Sequence, residues 1–346
     1  MEVLDSRGDL VLVVGQEKKE FLVCSRTLAR ASPNFAAKLF SEGREFSPVS
    51  GSENHVYRRK RRISFPEISV TAMHAILLIV HGAPTQVFGK LNDVNLLHDV
   101  LVITTRFEMT ECLAPVAVKW LRKTYKAEVL RFDEVARQLY ITYQLGHLPC
   151  VKQTLLHMVM SLRLNSRSEL IGYGASDHDE FQKFLALRSL NLLDPIYKCR
   201  QAVITRLVKE VEQAVERLTR SPRVTALDNK EAICKAASGQ TKCDCTLLGA
   251  FYKVLHAEGW SHIDLKCSPN QLYKRVKKIG RQTQEMAEPN LAHKFCDPFG
   301  GQLPSLEQIV SWEVNKIRFE EAELNRLGKA LGFERLKGPR EDDTGV

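Results

Sequence analysis

The residues best suited to chemistry in this chain are its thiols and imidazoles. Cys243-Asp244-Cys245 stands in a neighbourhood with Cys234, Cys267, Cys296, His256, His262 and His293. Zinc would need four such ligands in tetrahedral reach, and its strongest signature is Cys-x-x-Cys. That spacing is absent here, and a single intervening residue suits chelation less well. With nine cysteines and no secretory leader, the expectation is reduced thiols that pack as small apolar groups. No metal and no cofactor is expected.

Catalytic patterns are missing as well. There is no Gly-x-x-x-x-Gly-Lys-Ser/Thr loop, no Gly-x-Ser-x-Gly and no His-Glu-x-x-His. Gly172-x-Gly174 lacks a third glycine and a preceding strand. The expectation is a protein that is not an enzyme. His74 and His81 lie on an apolar helix and read as core edge and helix end.

A different feature is Tyr57–Glu67, YRRKRRISFPE, where Arg58, Arg59, Lys60, Arg61 and Arg62 run into an apolar stretch. Three readings compete. A nuclear import signal needs only a short basic cluster in an accessible loop. A solvated loop would guard the following strand edge with charge. A nucleic-acid contact would want further basic or aromatic residues along a groove, and only Tyr57 is nearby. The net charge of +9 is otherwise thinly spread, so nucleic acid is not expected as a direct partner.

These residues must be positioned by ordinary globular elements. The chain has 346 residues, 44% hydrophobic and 26% charged, enough apolar material for one large domain or two. No run approaches the roughly 20 apolar residues of a membrane span. An intracellular protein of nucleus or cytoplasm is expected, with no membrane partner. DLVLVV (9–14) and EFLVC (20–24) read as a hairpin of buried strands. SRTLARASPNFAAKLF has helical spacing split at Ser32-Pro33. Residues 42–60 read as a long loop and RISFPE as a strand. Ser69–Gly82, Asp93–Met109 and Thr110–Arg122 read as helices.

Beyond residue 124 strand signals fade. Helices are expected over Phe132–Tyr143, from Pro149 on, and over Lys198–Leu218, Cys245–His256, Gln271–Met286 and Ser305–Leu327, with a polar loop at Ser166–Asp179. The stripe Leu207, Val211, Val215, Leu218 reads as packing within the chain rather than a partner seam. Trp120, Trp260 and Trp312 are expected to be buried anchors.

The series Asp9–Val13, Phe21 to Ser25, Leu28, Ser32-Pro33-x-Phe35, Ile63-x-Phe65-Pro66, an apolar helix closing on His81-Gly82, the Leu96–Phe107 helix and Cys112 resembles the BTB/POZ domain. The remainder is similar, in general pattern, to the helical C-terminal region of fungal BTB/POZ proteins, where a Cys-rich segment such as Cys243–Leu248 precedes an amphipathic helix. The resemblance implies an α+β fold. It places a small sheet with a helix cluster in residues 1–124 and an α-helical region in 125–336. A disordered tail is expected at 337–346. It implies a protein–protein interaction adaptor or scaffold, with a cullin-type ubiquitin ligase as one assembly served. The alternative is a nuclear transcription or chromatin regulator. Phe40-Ser41-Glu42 carries the letters of the family's cullin-contact element. Only eight residues precede Asp9, so a homodimer is expected to be weak or unswapped.

Overall fold

The computed structural model describes residues 1–40, 61–90, 93–125, 132–172, 187, 190–220, 240–287, 296–299, 301, 303–319 and 321–333. The chain is mixed α+β and mostly helical, with one small sheet near its start. It divides into two compact units, Met1–Val151 with Phe319–Val346, and Lys152–Arg318. The boundary expected at 124/125 does not coincide with this division, because residues on both sides of it pack into the first unit.

In the first unit, β2 (Leu10–Val14) and β3 (Lys19–Val23) form the expected antiparallel hairpin. Its turn carries positive φ at Gly15 and Lys18. β4 (Arg61–Phe65) joins β2 in parallel, with Leu12 opposite Ile63. Parallel pairing requires a crossover, which β3 and the two helices after it supply. The strand thus starts at Arg61, one residue before the expected RISFPE, and holds both Arg61 and Arg62. A two-residue strand, β1 (Glu2–Val3), pairs in parallel with β3 of its own chain and completes the order β1-β3-β2-β4.

The break at Ser32-Pro33 has a specific chemistry. α1 (Ser25–Ala31) ends at Ser32, and α2 (Pro33–Phe40) starts with proline at its first position, where no N–H is needed. Ser32 is fully buried. Its hydroxyl accepts from Phe35 N–H at 3.0 Å and donates to the Phe107 carbonyl at 2.5 Å. One side chain thus caps α2 and ties it to a distant segment. Phe35 stacks on Phe107 at 4.6 Å, and Phe65 meets both edge-on. Leu12, Val14, Phe21, Val23, Leu28, Phe35, Phe65, Ile76 and Leu77 form the buried core around this cluster.

α3 (Val70–Val80) is apolar on most sides and is buried from Ala72 through Ile79 except at His74. α4 (Val94–Arg106) begins at Asp93, whose carboxylate accepts from the N–H groups of Asn95 and Leu96. The single helix expected over Thr110–Arg122 is two elements, a 3-10 turn at Thr110–Leu113 and α5 (Ala117–Thr124). Pro115 lies between them and cannot donate to a continuous helix. α6 (Phe132–Gln144) packs on α4, where Arg137 Nη1 donates to Asn95 Oδ1 at 2.7 Å.

α7 (Leu148–Ser161) carries the chain across the division between the units. Gly146, at φ +67°, ends the turn before it. Residues 319–333, including α12 (Glu321–Ala330), complete the first unit. A Cβ on Gly146 would stand 2.3 Å from the Leu324 carbonyl, and one on Gly328 would stand 2.6 Å from the Gly146 carbonyl. Two glycines let these backbones touch. The helix expected over Ser305–Leu327 is accordingly two helices, α11 (Leu306–Val314) and α12, in different units.

The second unit is organised around α8 (Leu193–Arg220). Val203, Leu207, Val211, Ala214 and Leu218 are buried on it, with α9 (Gln240–Ala257), α10 (Pro269–Ala287) and α11 packed against it. The stripe follows the 3.6-residue period, so Ala214 takes the place expected of Val215. A two-stranded ribbon, β5 (Arg163–Leu164) with β6 (Leu170–Ile171), replaces the start of the expected loop after Ser166. Trp312 is 61% exposed on α11, contrary to expectation. Leu306, Ile309, Val310 and Val314 occupy that helix's buried face, and Trp312 points the other way with Lys316 over its ring. No described helix is long and apolar enough to cross a membrane.

Candidate interaction surface

α1 and α2 meet at the Ser32 break, and their outer faces enclose an open groove of about 520 Å³ lined by Arg26, Ala29, Arg30 and Phe40. The helical period explains the set on α1. Residues 26, 29 and 30 follow one another on one side, while Ser25 and Leu28 turn inward. Phe40 closes α2 and is 47% exposed. An aromatic ring left this far in water beside two guanidinium groups is an interaction feature by composition.

Phe40 is held in place from the sheet. Arg61 Nη1 donates to the Leu39 carbonyl at 2.6 Å and Nη2 to the Lys38 carbonyl at 3.0 Å. These are carbonyls that α2 cannot satisfy itself, and a cation also suits the negative end of the helix. A small cleft beside the groove is lined by Asp9, Leu10, Ser25, Leu39, Phe40 and Arg61. There Asp9 accepts from Ser25 N–H at 2.8 Å and from the Ser25 hydroxyl at 2.7 Å. Burial pushes the Asp9 carboxyl up, but these hydrogen bonds and the Arg26 charge outweigh it and hold the group below the usual carboxylate range.

Of the residues singled out from sequence, Arg62 pairs with Glu20 on β3 and Arg61 caps α2. Arg58, Arg59 and Lys60 lie outside the described residues, as do Ser41 and Glu42 of the contact element, leaving Phe40 as its described member. His81 closes α3. Its Nδ1 lies 2.9 Å from the Leu77 carbonyl and its Nε2 accepts from Cys24 N–H at 3.2 Å, binding helix end to hairpin end. His74 stacks on Phe21 and lies 2.8 Å from Glu2.

The thiols separate into two groups. Burial pushes Cys112 and Cys199 up to about 12 and Cys150 up to about 11, which keeps them protonated and packed. Cys243 and Cys296 instead lie with their sulfurs 3.6 Å apart. Among the described residues no three His, Cys, Asp or Glu side chains are grouped to hold a metal ion. Cys234, His293 and the terminal stretch 337–346 lie outside them. Arg26 and Arg30 were not singled out from sequence; their signal was cations at helical spacing on the outer side of α1. No family model matches the chain, and comparison with the curated proteins and with the solved structures found no match.

Proposed function

We propose that this protein is a non-enzymatic interaction adaptor that uses its first unit in the manner of a BTB/POZ domain. The observation that carries the reading is Phe40, an exposed aromatic fixed by Arg61 and flanked by Arg26 and Arg30 over an open groove. An exposed ring with two exposed guanidinium groups suits a partner segment that combines an apolar anchor with carboxylates. The order of hairpin, Pro-split helix pair, parallel strand and further helices is what the sequence resemblance leads one to expect, and it supports the reading. In its specific form the partner is a cullin and the protein is a substrate adaptor for a cullin-type ubiquitin ligase. The partners are then mainly heterologous proteins.

The test uses the full chain, because residues 319–333 belong to the first unit. Purified protein is titrated with a purified cullin and, in parallel, used as bait for endogenous partners. Binding of cullin that weakens by about 10-fold or more in Phe40→Ala, the loss of a central aromatic contact, is the expected result. Absence of cullin binding removes the ligase form. An identical partner set for the parent and for a Phe40→Ala/Arg26→Glu/Arg30→Glu chain removes the groove as the interface.

A further inference from the structure

We propose that Cys243 and Cys296 form a redox-modification site, in which peroxide converts the two thiols into an intrachain disulfide. Their sulfurs are in van der Waals contact at 3.6 Å, although 53 positions apart in sequence. A disulfide needs about 2.05 Å between sulfurs, so closure brings the two sulfurs about 1.5 Å nearer. Both residues are half-buried, which leaves the pair open to a small oxidant.

The contact is built by the fold rather than by a loose loop. Cys243 lies in the first turns of α9. Cys296 opens the segment Cys296–Phe299, which Asp297 organises by accepting from Phe299 N–H at 3.0 Å and Gly301 N–H at 2.9 Å. Phe299 then anchors that segment. Its ring meets Phe251 of α9 edge-on at 6.0 Å and lies against Gly280 of α10, where a Cβ would come within 2.9 Å of the ring. Phe251 is on the same helix as Cys243, so the aromatic contact and the thiol contact join the same two pieces of chain. Cys245, two positions along, is exposed and marks the natural competitor.

The chemistry balances with hydrogen peroxide as oxidant. One thiolate attacks a peroxide oxygen; an S–O bond forms, the O–O bond breaks, and the departing hydroxide takes a proton as water. The second thiolate attacks that sulfur, the S–S bond forms, the S–O bond breaks, and a second water leaves. Two electrons pass from the thiols to the peroxide, and the two thiol protons end in the two waters. Two equivalents of a low-molecular-weight thiol, passing through a mixed disulfide, return both cysteines to thiols and leave as their own disulfide.

The experiment treats the full chain with micromolar hydrogen peroxide, blocks remaining thiols by alkylation and maps non-reduced tryptic peptides. Cys243 and Cys245 fall in one peptide between Lys242 and Lys253, so the mapping uses the Cys245→Ser chain. The expected product joins that peptide to the one carrying Cys296, lighter by two hydrogens than the sum of the two. The thermal midpoint should rise by about 5–10 °C on oxidation and return on reduction, as a cross-link closing a long loop implies. The comparison is between two redox forms of one chain, so any cost of a serine substitution cancels. Cys296→Ser should show neither the linked peptide nor the rise. Recovery of both thiols in alkylated form, linkage of either to another cysteine or another chain, or an unchanged response in Cys296→Ser overturns the proposal.

Discussion

Arg200 offers the sharpest test of how the second unit is held together. It is fully buried on α8, and no carboxylate forms an ion pair with it among the described residues. Instead its Nε donates to the Leu162 carbonyl at 3.1 Å, and one terminal nitrogen donates to the carbonyls of Leu265 at 2.9 Å and Cys267 at 2.5 Å. The side chain therefore pins the end of α7 and the turn before α10 to the central helix. Burial holds the guanidinium below its ordinary pKa, with Cys267, Tyr197 and Asp264 opposing the shift. Two terms compete when Arg200 becomes Met, which keeps much of the length and removes every donor. Three carbonyls lose a charged donor, at about 1.5–3 kcal/mol each and so roughly 4.5–9 kcal/mol together. Against that, the cost of keeping a charge out of water disappears, and for poorly paired ions this relief amounts to several kcal/mol. Three donated bonds favour the first term, and we expect Arg200→Met to destabilise by about 2 kcal/mol. Arg200→Ala adds a cavity and should cost about 4 kcal/mol. Urea denaturation followed by circular dichroism measures both. Hydrogen exchange at Leu164, whose N–H donates to the Lys266 carbonyl at 2.8 Å, reports the same site locally and should quicken. An Arg200→Met chain as stable as the parent, or more so, would show that the buried charge outweighs its three hydrogen bonds and would refute the argument.

Two further outcomes are expected in the first unit. Phe35→Ala should cost about 3–5 kcal/mol by denaturant unfolding, since it empties the centre of the Phe35, Phe65 and Phe107 cluster. Asp9 has a folded pKa below its unfolded value of 3.8, so its contribution is complete above that value and is lost as pH falls through the folded one. Thermal midpoints measured from pH 6 to pH 2.5 should therefore show an acid limb that is shallower by about 1–2 °C in Asp9→Asn, a small effect because the group is exposed.

Local rules determined much of this protein. The hairpin, the Ser32-Pro33 break, the Asp93 cap and the buried stripe of α8 depend on dihedral preference, a missing N–H, a side-chain acceptor or a helical period, all written within a few residues of where they act. The core of the first unit followed from the same patterns. What the sequence by itself left open was decided at a distance. Ser305–Leu327 has helical composition throughout, yet it breaks after Val314 and its halves join different units, the second meeting the turn at Gly146 through a backbone contact that Gly146 and Gly328 admit. Trp312 is apolar and would be welcome inside, but α11 had already turned Ile309, Val310 and Val314 inward, and a helix has one buried side here. Arg61 read as one member of a basic block; pairing of β4 with β2 made it the cap of α2 beside Phe40. Arg200 lies within the helix expected over Lys198–Leu218, and only the approach of the Leu162, Leu265 and Cys267 carbonyls gave it a reason to be buried. The candidate surface and the Cys243–Cys296 contact share that origin. Each joins side chains from separate elements, and a linear pattern holds the residue types while the fold alone sets the distance between them.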